Sequence, residues 1–219
     1  MRNKTIWSPT SNFQTVITSL IVDQDNKYDV WAPDNNELLQ TYSNSNGKDS
    51  QNSKAISIKN SWFNTGNKNL ISITAYSINK SEHSYDGDWG NSKYWSQNPY
   101  NFDSDIEGWE YDFFDQTIRN RTTVTEEIRI YKDLSNKSSV IAGTYAKFLS
   151  ETDDASGYLF AGDASKYDGS FDINNIAGYI QYEQQILNNL RITLNTRFET
   201  NQIKYSGESN YYGSNDTTI

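Results

Sequence analysis

Residues 190–199 read LRITLNTRFE, an alternation of period two. Leu190, Ile192, Leu194 and Phe198 fall on one side of an extended chain, and Arg191, Thr193, Asn195, Arg197 and Glu199 fall on the other. Successive side chains of a strand point to opposite faces, so this segment predicts a strand with one greasy face and one charged face. Residues 122–131 repeat the pattern: Val124, Ile128 and Ile130 share a face with Glu126, opposite Thr123, Thr125, Glu127, Arg129 and Tyr131. Similar stretches lie near 3–8, 13–23, 54–63, 69–85, 139–150 and 174–186, which makes about eight strands, several longer than the usual five or six residues. Apolar residues do not recur at helical spacing, so almost no helix is expected.

The connections between these stretches alternate in length. They are short at 9–12, long at about 24–53, short at 64–67, long at about 86–120, short at 134–138, long at about 151–173 and short at 187–189. In an up-and-down meander, alternate connections lie at the same end of the sheet. All tight turns then fall at one end and all long loops at the other, the asymmetry of an outer-membrane barrel. Pro9, Pro33 and Pro99 all fall in connections, as ladder hydrogen bonding demands.

Composition agrees with an economy of apolar groups. Mean hydropathy is −0.83, yet aromatics make up 14% of the chain, with 16 Tyr and 6 Trp, which argues against disorder. A net charge of −9 with scattered basic residues argues against a nucleic-acid partner. The chain has no cysteine, hence no disulfide, thiolate metal site or cysteine nucleophile. No apolar run approaches the ~20 residues of a membrane-spanning helix, and residues 1–13 lack the apolar core of a secretory signal. An exported barrel would therefore be represented here by an internal piece.

Several stretches carry a family pattern. TEEIRIYKD (125–133), a short turn and VIAGTYAKFLSETDD (140–154) resemble a hairpin of TonB-dependent receptors. AGYIQYEQQILNNLRITLNTRFETNQIKYSG (177–207) resembles the family's next hairpin, with Arg197 and Phe198 kept and Asn195 standing where the usual Gly would be. SITAYS (72–77) and YDGDWG (85–90) look like a family strand entering its extracellular loop. The resemblance implies that residues 1–219 are part of a receptor barrel of 22 strands, an incomplete transmembrane β-barrel without plug domain or coupling box. It further implies bacterial outer-membrane localisation and uptake of a scarce nutrient, such as a siderophore–iron complex, cobalamin or an oligosaccharide. Outer-membrane lipid would be a partner, and the TonB complex one only through the missing N-terminal region. Leu190, Ile192, Leu194 and Phe198 would face lipid, and Arg191, Arg197 and Glu199 the watery lumen. The alternative is a secreted soluble β-sandwich binding carbohydrate through aromatic loops, although Greek-key connections do not sort loops by length so regularly.

Sites for chemistry are sparse. His83 is the one histidine, far short of a metal site or a triad, and reads as an exposed residue. Carboxylates cluster at 23–29, 85–90, 103–112 and 166–172, but none completes a calcium-loop signature, and they read as solvated acidic loops. No phosphate loop, nucleophile elbow or zinc-binding helix is present, so no catalytic, cofactor or metal residue is assigned and no enzyme is expected. The long loops are rich in rings: Tyr28 and Trp31 in the first, and Trp89, Tyr94, Trp95, Tyr100, Trp109 and Tyr111 in the second. These are candidates for a ligand vestibule, because amphipathic rings bind well at low entropic cost. The other reading is that they pack the loops together or sit in an interfacial girdle.

Overall fold

A computed structural model describes residues 1–27, 31–63, 68–159, 162–211 and 214–218. Its strands in chain order are β1 (Arg2–Thr10), β2 (Phe13–Asp25), β3 (Lys48–Trp62), β4 (Lys68–Asp86), β5 (Phe114–Ser135), β6 (Ser138–Leu159), β7 (Ala164–Leu187), β8 (Leu190–Tyr211) and the short β9 (Ser214–Thr218). Two four-residue helices, α1 (Ser92–Trp95) and α2 (Ser104–Glu107), sit between β4 and β5. All nine strands form one antiparallel sheet in sequence order, each strand bonded to the next. The sheet is open, an incomplete barrel wall. No second sheet is present among the described residues, so the two-layer sandwich is not the fold.

The described tight turns, at 11–12, 136–137 and 188–189, share one end of the sheet. At 136–137, the Lys137 amide donates to Ser135 Oγ at 3.1 Å, and the hydroxyls of Ser135 and Ser138 lie 2.8 Å apart across the hairpin mouth. The expected turn at 64–67 lies outside the described residues. The opposite end carries the long connections 26–47 and 87–113.

The expected long connection at 151–173 is corrected by the structure. β6 continues to Leu159 and β7 begins at Ala164, so paired strand rather than loop fills most of this region. Residues 151–156 and 166–172, ETDDAS and KYDGSFD, show no greasy alternation, although their ladder is paired without a break. A register shift between Ser156 and Leu159 accommodates Gly157, whose φ is +119°. A Cβ there would lie 1.8 Å from the Phe114 carbonyl oxygen, so no other residue fits.

Residues paired across the ladder share a face, which sorts the sheet into two sides. One carries Leu194, Tyr182 and Val140 in one row and Thr196, Ile180, Ala142, Ile130, Leu70, Trp62 and Phe13 in the next. The other carries Arg197, Tyr179, Gly143, Arg129 and Ile71. Before Gly157, every exposed residue of β6 (Thr144, Phe148, Ser150, Thr152 and Asp154) lies on the first side. A curled sheet spreads its convex side chains and crowds its concave ones, so the first side is convex.

The convex side is apolar only in part. Its greasy segments are Leu190–Phe198 on β8, Ile176–Ile186 on β7, Val140–Phe148 on β6, Val124–Ile130 on β5, Leu70–Ile78 on β4, Ile56–Trp62 on β3 and Phe13–Ile21 on β2. Further toward the loop end the same face turns polar, with Ser150, Thr152 and Asp154 on β6, Asp168, Ser170 and Asp172 on β7, and Lys204, Ser206 and Glu208 on β8. A segment such as Val140–Phe148 is roughly 30 Å long at ~3.3 Å per residue. Tilted by about 45° it stands roughly 20 Å tall, close to the ~25 Å apolar band of an outer-membrane barrel. Trp7, Phe13 and Trp62 cluster at its turn-side margin, with ring centroids 6.1 and 5.2 Å apart.

A candidate site in the long loops

The two long loops are knitted together by carboxylates. Asp86 ends β4, and both it and Asp88 are buried, at 0% and 5% exposure. Asp86 Oδ2 accepts the amides of Asn44 and Ser45 at 2.9 and 3.4 Å, reaching into loop 26–47. Asp88 Oδ1 accepts from Gly90 N at 2.7 Å and Trp95 Nε1 at 3.4 Å, and Asp88 Oδ2 accepts from Phe113 N at 3.0 Å. These two are therefore not solvated acids; they satisfy backbone amides that the loop fold would otherwise leave without acceptors. Burial pushes the Asp86 carboxyl up to about 6, partly offset by the Asn44 and Ser45 amides and reinforced by the charge of Asp88.

Over this staple lies a chain of rings. Tyr42 meets Tyr94 at 4.6 Å, Tyr94 meets Trp95 at 5.0 Å, and Trp95 meets Tyr100 and Tyr111 at 4.8 and 4.7 Å. Tyr111 continues to Phe102, Trp109 and Phe113, and Phe113 stacks on Tyr158 of β6 at 4.3 Å. Burial, followed by a hydrogen bond with Tyr100, pushes the Tyr94 hydroxyl up to about 12. A Cβ at Gly90 would lie 2.4 Å from Trp95 Nε1, so the indole packs directly on the glycine backbone.

The vestibule candidates thus divide. Tyr94, Trp95 and Tyr111 are half-buried in the loop core. Trp31, Tyr100, Trp109 and Trp89 are 55, 49, 47 and 40% exposed, and Trp31 stands 6.2 Å from Trp89. Tyr28 lies outside the described residues. A groove of about 640 Å³ runs past Asp34, Tyr42, Lys93, Tyr94, Gln97 and Tyr100, a size in the range that takes a small ligand.

On β8, Leu190, Ile192, Leu194 and Phe198 stand on the convex side at 46, 45, 64 and 78% exposure. Arg191, Arg197 and Glu199 stand on the concave side: Arg191 pairs with Glu183 at 3.1 Å, and Arg197 pairs with Glu199 at 2.8 Å. The concave side also holds a network of ion pairs that sequence reasoning missed. Arg119 grips Asp153 with two nitrogens, at 2.6 and 2.8 Å, and Arg121 pairs with Glu151. Each member sits one alternate position from the next, so a cross-strand register would have found the set where a single-strand reading could not. His83 is exposed and lies 5.8 Å from the Tyr85 ring. No cluster of three metal-ligating side chains occurs among the described residues.

No protein-family model matches the sequence, and no curated protein matches it. Among solved structures, the ferric yersiniabactin uptake receptor FyuA from Yersinia pestis is similar over 94% of this chain, with a TM-score of 0.67 and 9% sequence identity. The chain spans 31% of the length of that receptor. The likeness is one of fold: this open meander superposes on part of an uptake receptor.

Proposed function

We propose that the chain is part of the barrel wall of an outer-membrane uptake receptor of the TonB-dependent kind, taking up a scarce nutrient captured at the long-loop end. The observation that carries this reading is the apolar band on the convex face. It is close in height to the apolar band of an outer-membrane barrel, it is bordered by aromatics on the turn side, and it gives way to polar residues on the same strands. The shared fold with an uptake receptor supports it. Trp31, Trp89, Tyr100 and Trp109 are the rings exposed enough to meet a ligand, whereas Tyr94, Trp95 and Tyr111 hold the loops in shape. The ion-paired concave face would line the lumen.

Sidedness tests the reading directly. This stretch has no cysteine of its own, so single cysteines can be placed in it cleanly once any cysteine elsewhere in the full-length protein is replaced. In the full-length protein, a membrane-impermeant maleimide should label Asp105→Cys, in loop 87–113, on intact cells. It should label Lys137→Cys, in the turn at 136–137, only after the outer membrane is permeabilised. Reversed labelling, or recovery of the protein in the soluble fraction, would refute the proposal.

A further inference from the structure

Two lysines face each other at the turn-side margin of the greasy band. Lys68 of β4 and Lys132 of β5 are direct cross-strand partners on the convex side, so their Cβ atoms stand roughly 5 Å apart. Each lies one alternate position beyond the band's last residue on its strand, Leu70 or Ile130. Trp62 and Phe13 mark the same margin on β3 and β2. Like charges set directly opposite repel, so this is an unfavourable pair to build into a sheet. The carboxylates Glu127, Asp133, Glu183 and Glu199 of the turn-side half stand on the concave side, and Glu126 lies roughly 20 Å further along β5.

A shallow hollow opens beside this pair. About 630 Å³ in volume, it crosses the convex face from Leu70 and Ile130 past Ala142 and Gly178 to Phe198. Its floor is low because the middle residues are small: a Cβ added at Gly178 would meet nothing within 4 Å. Leu70 is the turn-side end of the band on β4, and Phe198 is the loop-side end of the band on β8, yet the ladder places them on neighbouring rows. The hollow therefore climbs obliquely through the band. From β5 to β8 it spans three strand spacings, roughly 14 Å.

We infer that this surface binds an anionic phospholipid of the periplasmic leaflet, its phosphate held between Lys68 and Lys132 and an acyl chain laid in the hollow. The inference rests on the membrane reading above, in which the turn end is periplasmic. A phosphate set between the two ammonium groups replaces their repulsion by attraction to both, and lysine binds phosphate as a point charge. The pair stands at the band's edge, the depth of lipid headgroups, where basic clusters recruit anionic lipid. A zwitterionic headgroup carries its own cation, which offsets the phosphate and gains less from the pair. The hollow begins beside the lysines and rises into the band, so a chain attached to the bound headgroup can follow it upward.

Quenching by labelled lipid, with the full-length protein in vesicles, decides the matter. A fluorophore on Thr144→Cys sits in the hollow, and one on Tyr76→Cys sits on the same face of β4 outside it. Phosphatidylglycerol carrying a mid-chain nitroxide should half-quench the Thr144→Cys label at about a tenfold lower mole fraction than the matching phosphatidylcholine. At Tyr76→Cys the two lipids should quench alike. Lys68→Gln with Lys132→Gln should bring the two lipids level at Thr144→Cys, whereas Lys68→Arg with Lys132→Arg, which keeps both charges, should preserve the preference. Level quenching at Thr144→Cys in the parent, the same preference at both sites, a preference that survives the double glutamine change, or one erased by inorganic phosphate at constant ionic strength would each overturn the lipid site and leave the receptor reading standing. So would a Thr144→Cys label shielded from both lipids while Tyr76→Cys is quenched, the result expected if another protein covers the hollow. Labels at both positions untouched by either lipid would overturn both readings.

Discussion

The two halves of β6 make the sharpest contrast in the molecule. From Val140 to Phe148 the convex face is Val, Ala, Thr, Ala and Phe, while the concave face carries Ile141, Tyr145, Lys147 and Leu149. From Ser150 to Asp154 the convex face is Ser, Thr and Asp, and Glu151 and Asp153 on the concave face are locked to Arg121 and Arg119. The backbone ladder is continuous through both halves. The same hydrogen-bonded scaffold is thus stabilised in two ways: in the turn-side half by the environment its convex face meets, and in the loop-side half by side-chain pairs within the sheet and by the carboxylate staples of the loops. On the proposed orientation, lipid solvates the first half and water the second.

That contrast is strongest where a charge is forced on each half. Leu194→Arg in the full-length protein should cost about 2–4 kcal/mol of folding stability near the band centre. Asn195→Arg, one residue along but on the concave face, should cost a fraction of that, and Ser206→Arg, on the convex face above the band, should stay within about 0.5 kcal/mol. Denaturant titration of the barrel in lipid vesicles measures all three. Equal costs at 194 and 206 would erase the boundary between the halves.

Removal of a staple should be felt only in the loop-side half. Asp88→Ala deprives the Gly90 and Phe113 amides and the Trp95 indole of their acceptor. It should loosen loop 87–113 by about 2 kcal/mol, the cost of leaving buried donors unpaired. Hydrogen exchange should show lost protection in 87–113 and unchanged protection in Val140–Phe148. Spread of the effect into the turn-side half would mean the halves are not independent.

A smaller change is expected from the ion pairs. Arg119→Ala should destabilise the loop-side half by about 1 kcal/mol at low salt and by less at high salt, because Arg119 is partly exposed and screened. A thermal melt at two ionic strengths checks it, and a salt-independent loss would point to packing instead.

The subtlest effect is on pH. Asp86 in the folded protein titrates near 6, above its ordinary carboxylate value, so between about 4 and about 6 the folded loops hold a proton that the unfolded chain does not. Loop stability should therefore fall as pH rises through that window and level off above it. Protection of the Asn44 and Ser45 amides, corrected for intrinsic exchange, should follow this course, and Asp86→Asn should flatten it.

The contrast also explains what could be read from the sequence. Residues 190–199 were legible because one face is greasy, and that is true only in the turn-side half. Residues 151–173 looked like a loop because a strand without greasy alternation carries no period-two signal, however well it is paired. Asp86 and Asp88 looked solvated because acidity is visible in sequence and burial is not. Their Asp-Gly-Asp-Trp-Gly setting, in which each carboxylate accepts an amide two residues on, was the available clue. Among the loop rings the sequence could not divide Trp95, packed on Gly90, from the exposed Trp109, because that division arises from the folded contacts of the loop.

The hairpin of β6 and β7 has an engineering consequence. From Ser150 to Ser156 the ladder runs on for roughly 20 Å beyond the greasy band, a paired mast rather than a slack tether. An epitope grafted onto this part of the hairpin would ride well above the band. Antibody access would then report the length of the mast, and trimming β6 and β7 by equal even numbers of residues would lower it stepwise without turning either face inside out.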